Sequence, residues 1–318
     1  MSPMRFVYSI IVFVSIFIFS NTVFACESCS IAGLGRNQRA ARSDSPDKKW
    51  FANYLYENQN WHEKDAREAH QLHDQGHHVH DKTSEEFHHL TIGGHLSERV
   101  IVFVEAPYVV RHSLEVEDHD ILGSRQNSKG LGDMRLMGDY KVFNEEASSV
   151  SVVGGLKFPT GSTKEENSVG TRFESEMQPG TGSYDYILGG VYRRAGERAS
   201  LVANTAYVFK TEGVQDFRYG DLLSTSLLLD YLLNPQEKGV QFRAGLDANL
   251  QYEQKQKDDG NRGKDSGGIT LLLGPTLTAR ANEHFSLFGS FLAPVYQNLG
   301  GVHQNLDFVY TSGVTLNW

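Results

Sequence analysis

Residues 305–318 alternate between two kinds of side chain. One set of positions is mostly apolar and comprises Leu306, Phe308, Tyr310, Ser312, Val314, Leu316 and Trp318. The positions between them are mostly polar and comprise Asn305, Asp307, Val309, Thr311, Gly313, Thr315 and Asn317. Side chains of a strand point alternately to opposite faces, so one face can contact lipid while the other faces a wet lumen. The pattern predicts a strand of an antiparallel transmembrane β-barrel in a bacterial outer membrane.

The same alternation, interrupted by turn residues, divides the chain into about twelve strands. They are predicted at 47–57, 87–96, 99–111, 131–144, 147–159, 182–195, 198–210, 218–234, 238–253, 268–282, 284–297 and 305–318. Short and long connections alternate, which indicates periplasmic turns and extracellular loops with both chain ends periplasmic. The first strand is the weakest, since 48–57 could instead precede the barrel, and about ten or fourteen strands are the alternatives.

The strand at 238–253 separates the two faces clearly. Its outward positions are apolar: Val240, Phe242, Ala244, Leu246, Ala248, Leu250 and Tyr252. A soluble sandwich would also alternate, but aromatic residues near predicted membrane boundaries favour the barrel. These aromatic residues are Tyr108, Tyr140, Tyr184, Tyr192, Tyr219, Tyr231, Tyr252 and Tyr310. The mean hydropathy of −0.40 fits a barrel with a polar lumen.

The first 46 residues are predicted to lie outside the barrel. Residues 1–25 resemble an export signal, and 26–46 would form a periplasmic segment that begins Cys26-Glu27-Ser28-Cys29. Without Arg5 the formal charge is 29 − 39 = −10, which excludes a nucleic-acid partner. The thiol pair Cys26 and Cys29 could be oxidised, ligate metal or meet a periplasmic partner, and acylation of Cys26 is a further alternative.

Charged and amide side chains are predicted on the inward face, where solutes would pass. The candidate lining is Asp133, Arg135, Asp139, Lys141, Lys157, Asp185, Asp230, Arg243, Asp247, Asn249 and Asp307. Opposite charges could pair across a narrow lumen and rigidify it. They could also filter solutes by sign and size, and the two roles are compatible.

Histidines concentrate in one predicted extracellular loop, 58–86. Nine of the 13 histidines lie between His62 and His95. The densest run contributes the candidate metal ligands His70, His73, His77, His78 and His80. Imidazoles at such spacing can collect zinc or copper, although a solvated polar loop has the same composition. We expect no required cofactor, with zinc or copper as the candidate metals.

Three motifs follow one another in the central strands. They are Gly130-Leu131-Gly132-Asp133, Gly154-Gly155-Leu156-Lys157-Phe158-Pro159-Thr160-Gly161 and Gln178-Pro179-Gly180-Thr181-Gly182-Ser183-Tyr184-Asp185-Tyr186. With them, residues 95–318 resemble the outer-membrane transporter family named for the meta-pathway of phenol degradation. The resemblance implies a barrel that admits aromatic or hydrophobic compounds. The cysteine pair and the histidine-rich loop depart from the family's pattern.

These observations predict an outer-membrane channel or transporter for passive uptake or efflux of small solutes, with outer-membrane lipid and small molecules as partners. One alternative is a metal-binding barrel that uses the histidine-rich loop. A barrel enzyme is another, but no companion motif accompanies the histidines outside that loop, so we expect no catalysis.

Overall fold

The computed structural model describes residues 49–62, 71, 74, 80–115, 124–145, 147–235, 239–263, 265–301 and 304–318. The predicted segments 1–25 and 26–46 lie outside these residues, as do the thiol pair and four of the five candidate metal ligands. The fifth, His80, begins a strand.

Sixteen strands and two short 3₁₀ turns form the described chain. The strands are β1 (Trp50–Trp61), β2 (His80–His95), β3 (Val100–Glu115), β4 (Ser124–Leu131), β5 (Arg135–Glu145), β6 (Ser148–Lys157), β7 (Asp185–Ala195), β8 (Ala199–Phe209), β9 (Phe217–Arg218), β10 (Leu222–Leu232), β11 (Gln241–Glu253), β12 (Lys257–Asp258), β13 (Asn261–Arg262), β14 (Gly268–Arg280), β15 (Phe285–Leu299) and β16 (Leu306–Asn317). The turns are Ser175–Met177 and Val214–Asp216. Among the described residues, no helix is both long and apolar enough to cross a bilayer.

Thirteen of the strands form one closed antiparallel barrel. The order is β2-β1-β16-β15-β14-β11-β10-β8-β7-β6-β5-β3-β4, and pairing of β2 with β3 closes it. Both β4 and β5 pair with β3, at 108–115 and 100–105, so they share one wall position. The barrel therefore has twelve positions, as the sequence predicts. The remaining strands, β9, β12 and β13, form a small sheet of their own.

Alternation along each strand separates the outer wall from the lumen. On β11, outward Leu246 is 49% exposed and inward Asp247 is 2% exposed. Lipid takes the place of water against the outer face, and closure leaves no free barrel edge.

Three boundary predictions were wrong. The loop predicted at 58–86 is shorter, because β1 continues to Trp61 and β2 already begins at His80. Polar residues occupy both faces of the chain there, so the apolar–polar alternation that indicates a strand is missing. The strand predicted at 131–144 is divided, because residues 132–134 leave the ladder. Tyr219 is not part of the outer aromatic belt, since it is buried against Phe217 with ring centroids 4.8 Å apart.

One predicted inward residue lies on the wrong face. The pairing of β1 with β16 shifts at Trp61, where an irregularity breaks the alternation. Leu306 is therefore buried at 6%, and the side chain of Asp307 is 42% exposed. Asp307 contacts His62, with Oδ1 3.1 Å from Nδ1. A bulge adds one residue to a strand and so reverses which side chains beyond it face the lumen. Asp307 is therefore not one of the lining residues.

An apolar row fills part of the lumen. Its members are successive register partners on neighbouring strands: Phe51, Gly93, Phe103, Met137, Gly155, Ile187, Val208 and Leu222. Because barrel strands tilt, the row climbs from the short-turn end at β1 to the long-loop end at β10. A Cβ at Gly155 would lie 2.2 Å from the Met137 sulfur, so this glycine makes room for the methionine.

A polar row lies directly beside the apolar one. It joins Asn53, Thr91, Glu105, Arg135, Lys157 and Asp185 as register partners. The wall from β1 to β7 thus faces the lumen with one apolar and one polar band.

Candidate functional site

Glu105 is the centre of the first buried charge group. Its carboxylate is fully buried and lies 2.6 Å from Arg135 Nη1 and 3.0 Å from His89 Nδ1. On the same two strands, β2 and β3, and nearer the long-loop end, Arg111 Nε donates to Glu85 Oε1 at 2.6 Å. Charges in a low-dielectric interior are tolerated when they are paired and hydrogen-bonded, and these groups meet that condition.

Lys157 is the centre of a second group, which two of the sequence motifs build together. Its Nζ lies 2.6 Å from Asp185 Oδ2 and 3.3 Å from Asp133 Oδ2. It also donates to the hydroxyls of Ser183, at 3.0 Å, and Thr181. One ammonium is therefore surrounded by two carboxylates and two hydroxyls, all on the inner side of the wall.

The remaining motif, at 130–133, joins this group through Asp133. The Asp133 carboxylate accepts hydrogen bonds from the backbone N–H groups of Gly161 and Thr181, both at 2.8 Å. Gly161 and Gly180 touch, since a Cβ built on either would lie 2.6 Å from the other's backbone. The three motifs together hold residues 158–184, the β6–β7 loop, at the point where β4 and β5 separate.

The β6–β7 loop is also fixed along its length. Gln178 is buried, and its side chain donates to the carbonyl of Phe173 at 2.9 Å and accepts from the N–H of Glu165 at 2.9 Å. Its own carbonyl accepts from Arg111 of β3. Ser128 of β4 donates to the carbonyl of Met177. These contacts attach the loop to the wall on the β3–β4 side.

On its other side the loop meets the segment before β10. The Tyr219 hydroxyl donates to the carbonyl of Ser175 at 2.9 Å, and Ser175 Oγ donates to the carbonyl of Val214 at 3.0 Å. Positions β3 and β10 are nearly half the wall apart in the strand order. The β6–β7 loop is therefore held on two sides and forms part of the barrel mouth.

A third charge group supports this mouth from β8 to β11. Lys210 Nζ lies 3.0 Å from Glu253 Oε1 and 5.5 Å from the centre of the Tyr219 ring. Asp221 accepts from the Lys210 N–H at 2.9 Å and from Arg218 at 3.0 Å. The rim at the long-loop end is thus cross-linked by ion pairs.

At the short-turn end the lumen contains a cavity of about 340 Å³ between β7 and β16. Its polar lining includes Arg193, Ser200, Asp230, Arg243, Asp247, Thr278 and Arg280, and its apolar lining includes Val202, Leu228 and Phe288. Arg243 Nε lies 3.0 Å from Asp230 Oδ1. We call this space the basal cavity.

The predicted lining residues fall into separate groups rather than one ring. Arg135 belongs to the Glu105 group, while Asp133, Lys157 and Asp185 hold the β6–β7 loop. The basal cavity receives Asp230, Arg243 and Asp247. The other inward positions are Asp139, Lys141 and Asn249, of which Asp139 and Asn249 are buried.

Sequence reasoning missed several inward charges. They are Glu85, His89, Glu105, Arg111, Arg193, Lys210 and Arg280. Alternation already placed most of them on the inward face of a predicted strand, so the period could have identified them. Among the described residues, no three histidine, cysteine, aspartate or glutamate side chains are grouped to hold a metal ion. The predicted metal site lies mainly outside that part of the chain.

Comparison with known families gives one match. Residues 82–298 match the family described as "Putative MetA-pathway of phenol degradation". That range contains all three motifs and most of the barrel. A comparison with curated protein sequences found no match.

Solved structures share the fold at low sequence identity. The crystal structure of an outer membrane channel from Pseudomonas putida F1 has a TM-score of 0.61 at 16% identity, covering 87% of this chain and 97% of that one. The β domain of the Bordetella autotransporter BrkA has a TM-score of 0.46 at 10% identity, covering 86% and 100%. The closed barrel, which shares its fold with the Pseudomonas putida outer membrane channel, places the chain in the bacterial outer membrane.

Proposed function

The chain belongs to the MetA-pathway family of phenol degradation, and we propose that it is an outer-membrane channel for passive exchange of small solutes rather than an enzyme. The observation that carries the proposal is the basal cavity, a space of about 340 Å³ inside a closed transmembrane barrel. A barrel of twelve positions lies between small barrels filled by side chains and large open porins. The proposal therefore expects a narrow, selective path.

Support for aromatic or hydrophobic solutes comes from the apolar row. Phe51, Phe103, Met137 and Ile187 are buried on the inner side of the wall, where a general porin would carry polar residues. The family resemblance implies the same class of cargo, and the Pseudomonas putida protein of similar fold is named a channel.

Uptake into proteoliposomes tests the channel proposal. We expect small uncharged solutes to enter vesicles containing the protein faster than vesicles without it. Thr278→Trp should slow entry, because Thr278 lines the basal cavity and a larger side chain would narrow it. The matched control is Leu277→Trp, since Leu277 is the adjacent residue on the outer face and is 51% exposed.

Equal uptake by Thr278→Trp and Leu277→Trp proteins would remove the basal cavity from the path. Uptake no faster than in empty vesicles, with insertion of the barrel confirmed, would contradict the channel proposal itself.

A further inference from the structure

The lining of the basal cavity is positively charged in a negatively charged protein. Four arginines line it, Arg193, Arg194, Arg243 and Arg280, against two aspartates, Asp230 and Asp247. The formal charge of the lining is therefore 4 − 2 = +2, whereas the whole chain has a formal charge of −9. Such a local excess raises the concentration of small anions inside a cavity with low-dielectric walls.

Arg243 has donor capacity directed at this space. Its Nε faces Asp230 at 3.0 Å, and its side chain is 28% exposed. Its Nη1 is buried and has no hydrogen-bond partner among the residues that the structure describes. A guanidinium offers five N–H donors in a planar fork that fits a carboxylate, so the exposed part of this side chain in the cavity lining suits an anionic ligand group.

An aromatic surface lies in the same cavity. Arg243, Thr278, Phe288 and Gly313 are successive register partners on β11, β14, β15 and β16. Two strand spacings, about 10 Å, separate Arg243 from Phe288. The Phe288 ring lies over Gly313, where a Cβ would meet the ring at 2.5 Å, so the glycine allows the ring to lie against the wall. The cavity therefore presents a cation at one point and an apolar face at another.

We infer that the basal cavity binds small organic carboxylates with an apolar or aromatic body, with the carboxylate at Arg243 and the apolar part against Phe288. A volume of about 340 Å³ is within the range of pockets that bind small organic molecules. Arg280 lies two residues from Thr278 on the same face of β14 and lines the same space. The inference rests on the proposed channel function, because it names the class of solute that the channel would select.

Binding tests the inference without requiring conduction. We expect titration calorimetry of the full protein in detergent to detect binding of benzoate, and Arg243→Gln to weaken it about tenfold, the loss expected for one charge-assisted hydrogen bond. Arg198→Gln is the matched control, because Arg198 is at the same end but exposed, with Nη1 3.3 Å from the hydroxyl of outward Tyr231. Absence of benzoate binding by the unaltered protein, or equal binding by both variants, would overturn the inference.

Charge selectivity gives a second measurement, in which two substitutions should change the preference for anions in opposite directions. In bilayers we expect benzoate to permeate better than benzylammonium, a cation with the same ring. Arg243→Gln should lower this preference about tenfold, since a unit charge about 6 Å from an ion in water changes the local concentration of the anion about threefold and that of the cation about threefold in the opposite direction. Asp230→Asn should raise it, because it removes a negative charge from the same lining and nearly preserves shape.

The two proposals fail in different ways. A protein that binds benzoate but conducts nothing would contradict the channel and leave the carboxylate site. A protein that conducts and prefers benzylammonium, or that keeps one preference in all variants, would contradict the carboxylate site and leave the channel. If Arg243→Gln does not fold, Asp230→Asn and Arg280→Gln still test the direction of the charge effect.

Discussion

The carboxylate of Asp133 accepts two hydrogen bonds from Thr181, one from its backbone N–H at 2.8 Å and one from its hydroxyl at 2.6 Å. The two residues belong to different motifs, and the ammonium group of Lys157, from the remaining motif, contacts both. This relationship explains in physical terms why the family's motifs occur together. They form the anchor of the β6–β7 loop at the mouth of the barrel.

Asp133→Asn should loosen this loop. The substitution removes the negative charge next to Lys157 and replaces one acceptor oxygen with a donor, so the free energy of unfolding should fall by about 2 kcal/mol. Trypsin should then cut the loop faster at Lys164 or Arg172. Urea unfolding and timed proteolysis check both effects.

Glu212→Gln is the control for Asp133→Asn, because it makes the same kind of change at an exposed residue of the neighbouring loop. Equal proteolysis of the two variants would show that Asp133 does not anchor the loop.

Gly161→Ala should also disturb the mouth. A Cβ there would lie 2.6 Å from Gly180 and 2.9 Å from an Asp133 oxygen, so the two loop segments would have to separate. We expect a loss of about 2 kcal/mol, typical of overpacking. Gly154→Ala is the control, since a Cβ at Gly154 would have nothing within 4 Å. Urea unfolding of the two alanine variants decides, and a smaller loss for Gly161→Ala would be the opposite of our expectation.

Glu105→Gln should be among the more damaging single changes in the wall. It leaves Arg135 without its counter-charge in a buried position, which costs about 3 kcal/mol when one partner of a buried pair is removed. Glu98→Gln, in an exposed short turn, should change stability by less than about 0.5 kcal/mol. Stability of the two proteins in the same detergent, measured by urea unfolding, gives the comparison. A Glu105→Gln protein as stable as the control would argue against a structural role for the Glu105 group.

Zinc or copper binding by the histidine-rich segment remains a prediction. Replacing His70, His73, His77, His78 and His80 by alanine should abolish any such binding, because imidazoles are its main candidate ligands. His112→Ala is a suitable control, since His112 lies outside the segment and bonds to Asn127 at 2.7 Å. Calorimetric titration with zinc would check it, and undiminished binding by the five-fold variant would end the proposal for this segment.

Much of the fold could be predicted from the sequence, because the strands of a barrel alternate apolar and polar side chains with a period of two residues. All twelve wall positions follow from that period, and β11 matches its prediction to within three residues at its start. The face of Asp307 could not be predicted, because a bulge opposite Trp61 leaves no mark in the pattern. The break between β4 and β5 could not be predicted either, because the alternation of side chains does not show that residues 132–134 leave the ladder.

The site was harder to predict than the wall. Convergence of Asp133, Lys157 and Thr181 depends on the register of β5, β6 and β7, which alternation alone does not give. Glu105 and His89 lie in strands that otherwise read as apolar or as part of the histidine cluster. Their pairing at 3.0 Å depends on the register of β2 with β3, which alternation alone does not give.

Single-channel recording of the purified protein in a planar bilayer tests the central claim most directly. We expect stable, discrete current steps, because the basal cavity is open space inside the closed barrel and would form part of a narrow aqueous path. Lack of conductance from a protein whose β-structure and insertion are confirmed would contradict the account, and the barrel would then have to act in some way other than as an open channel.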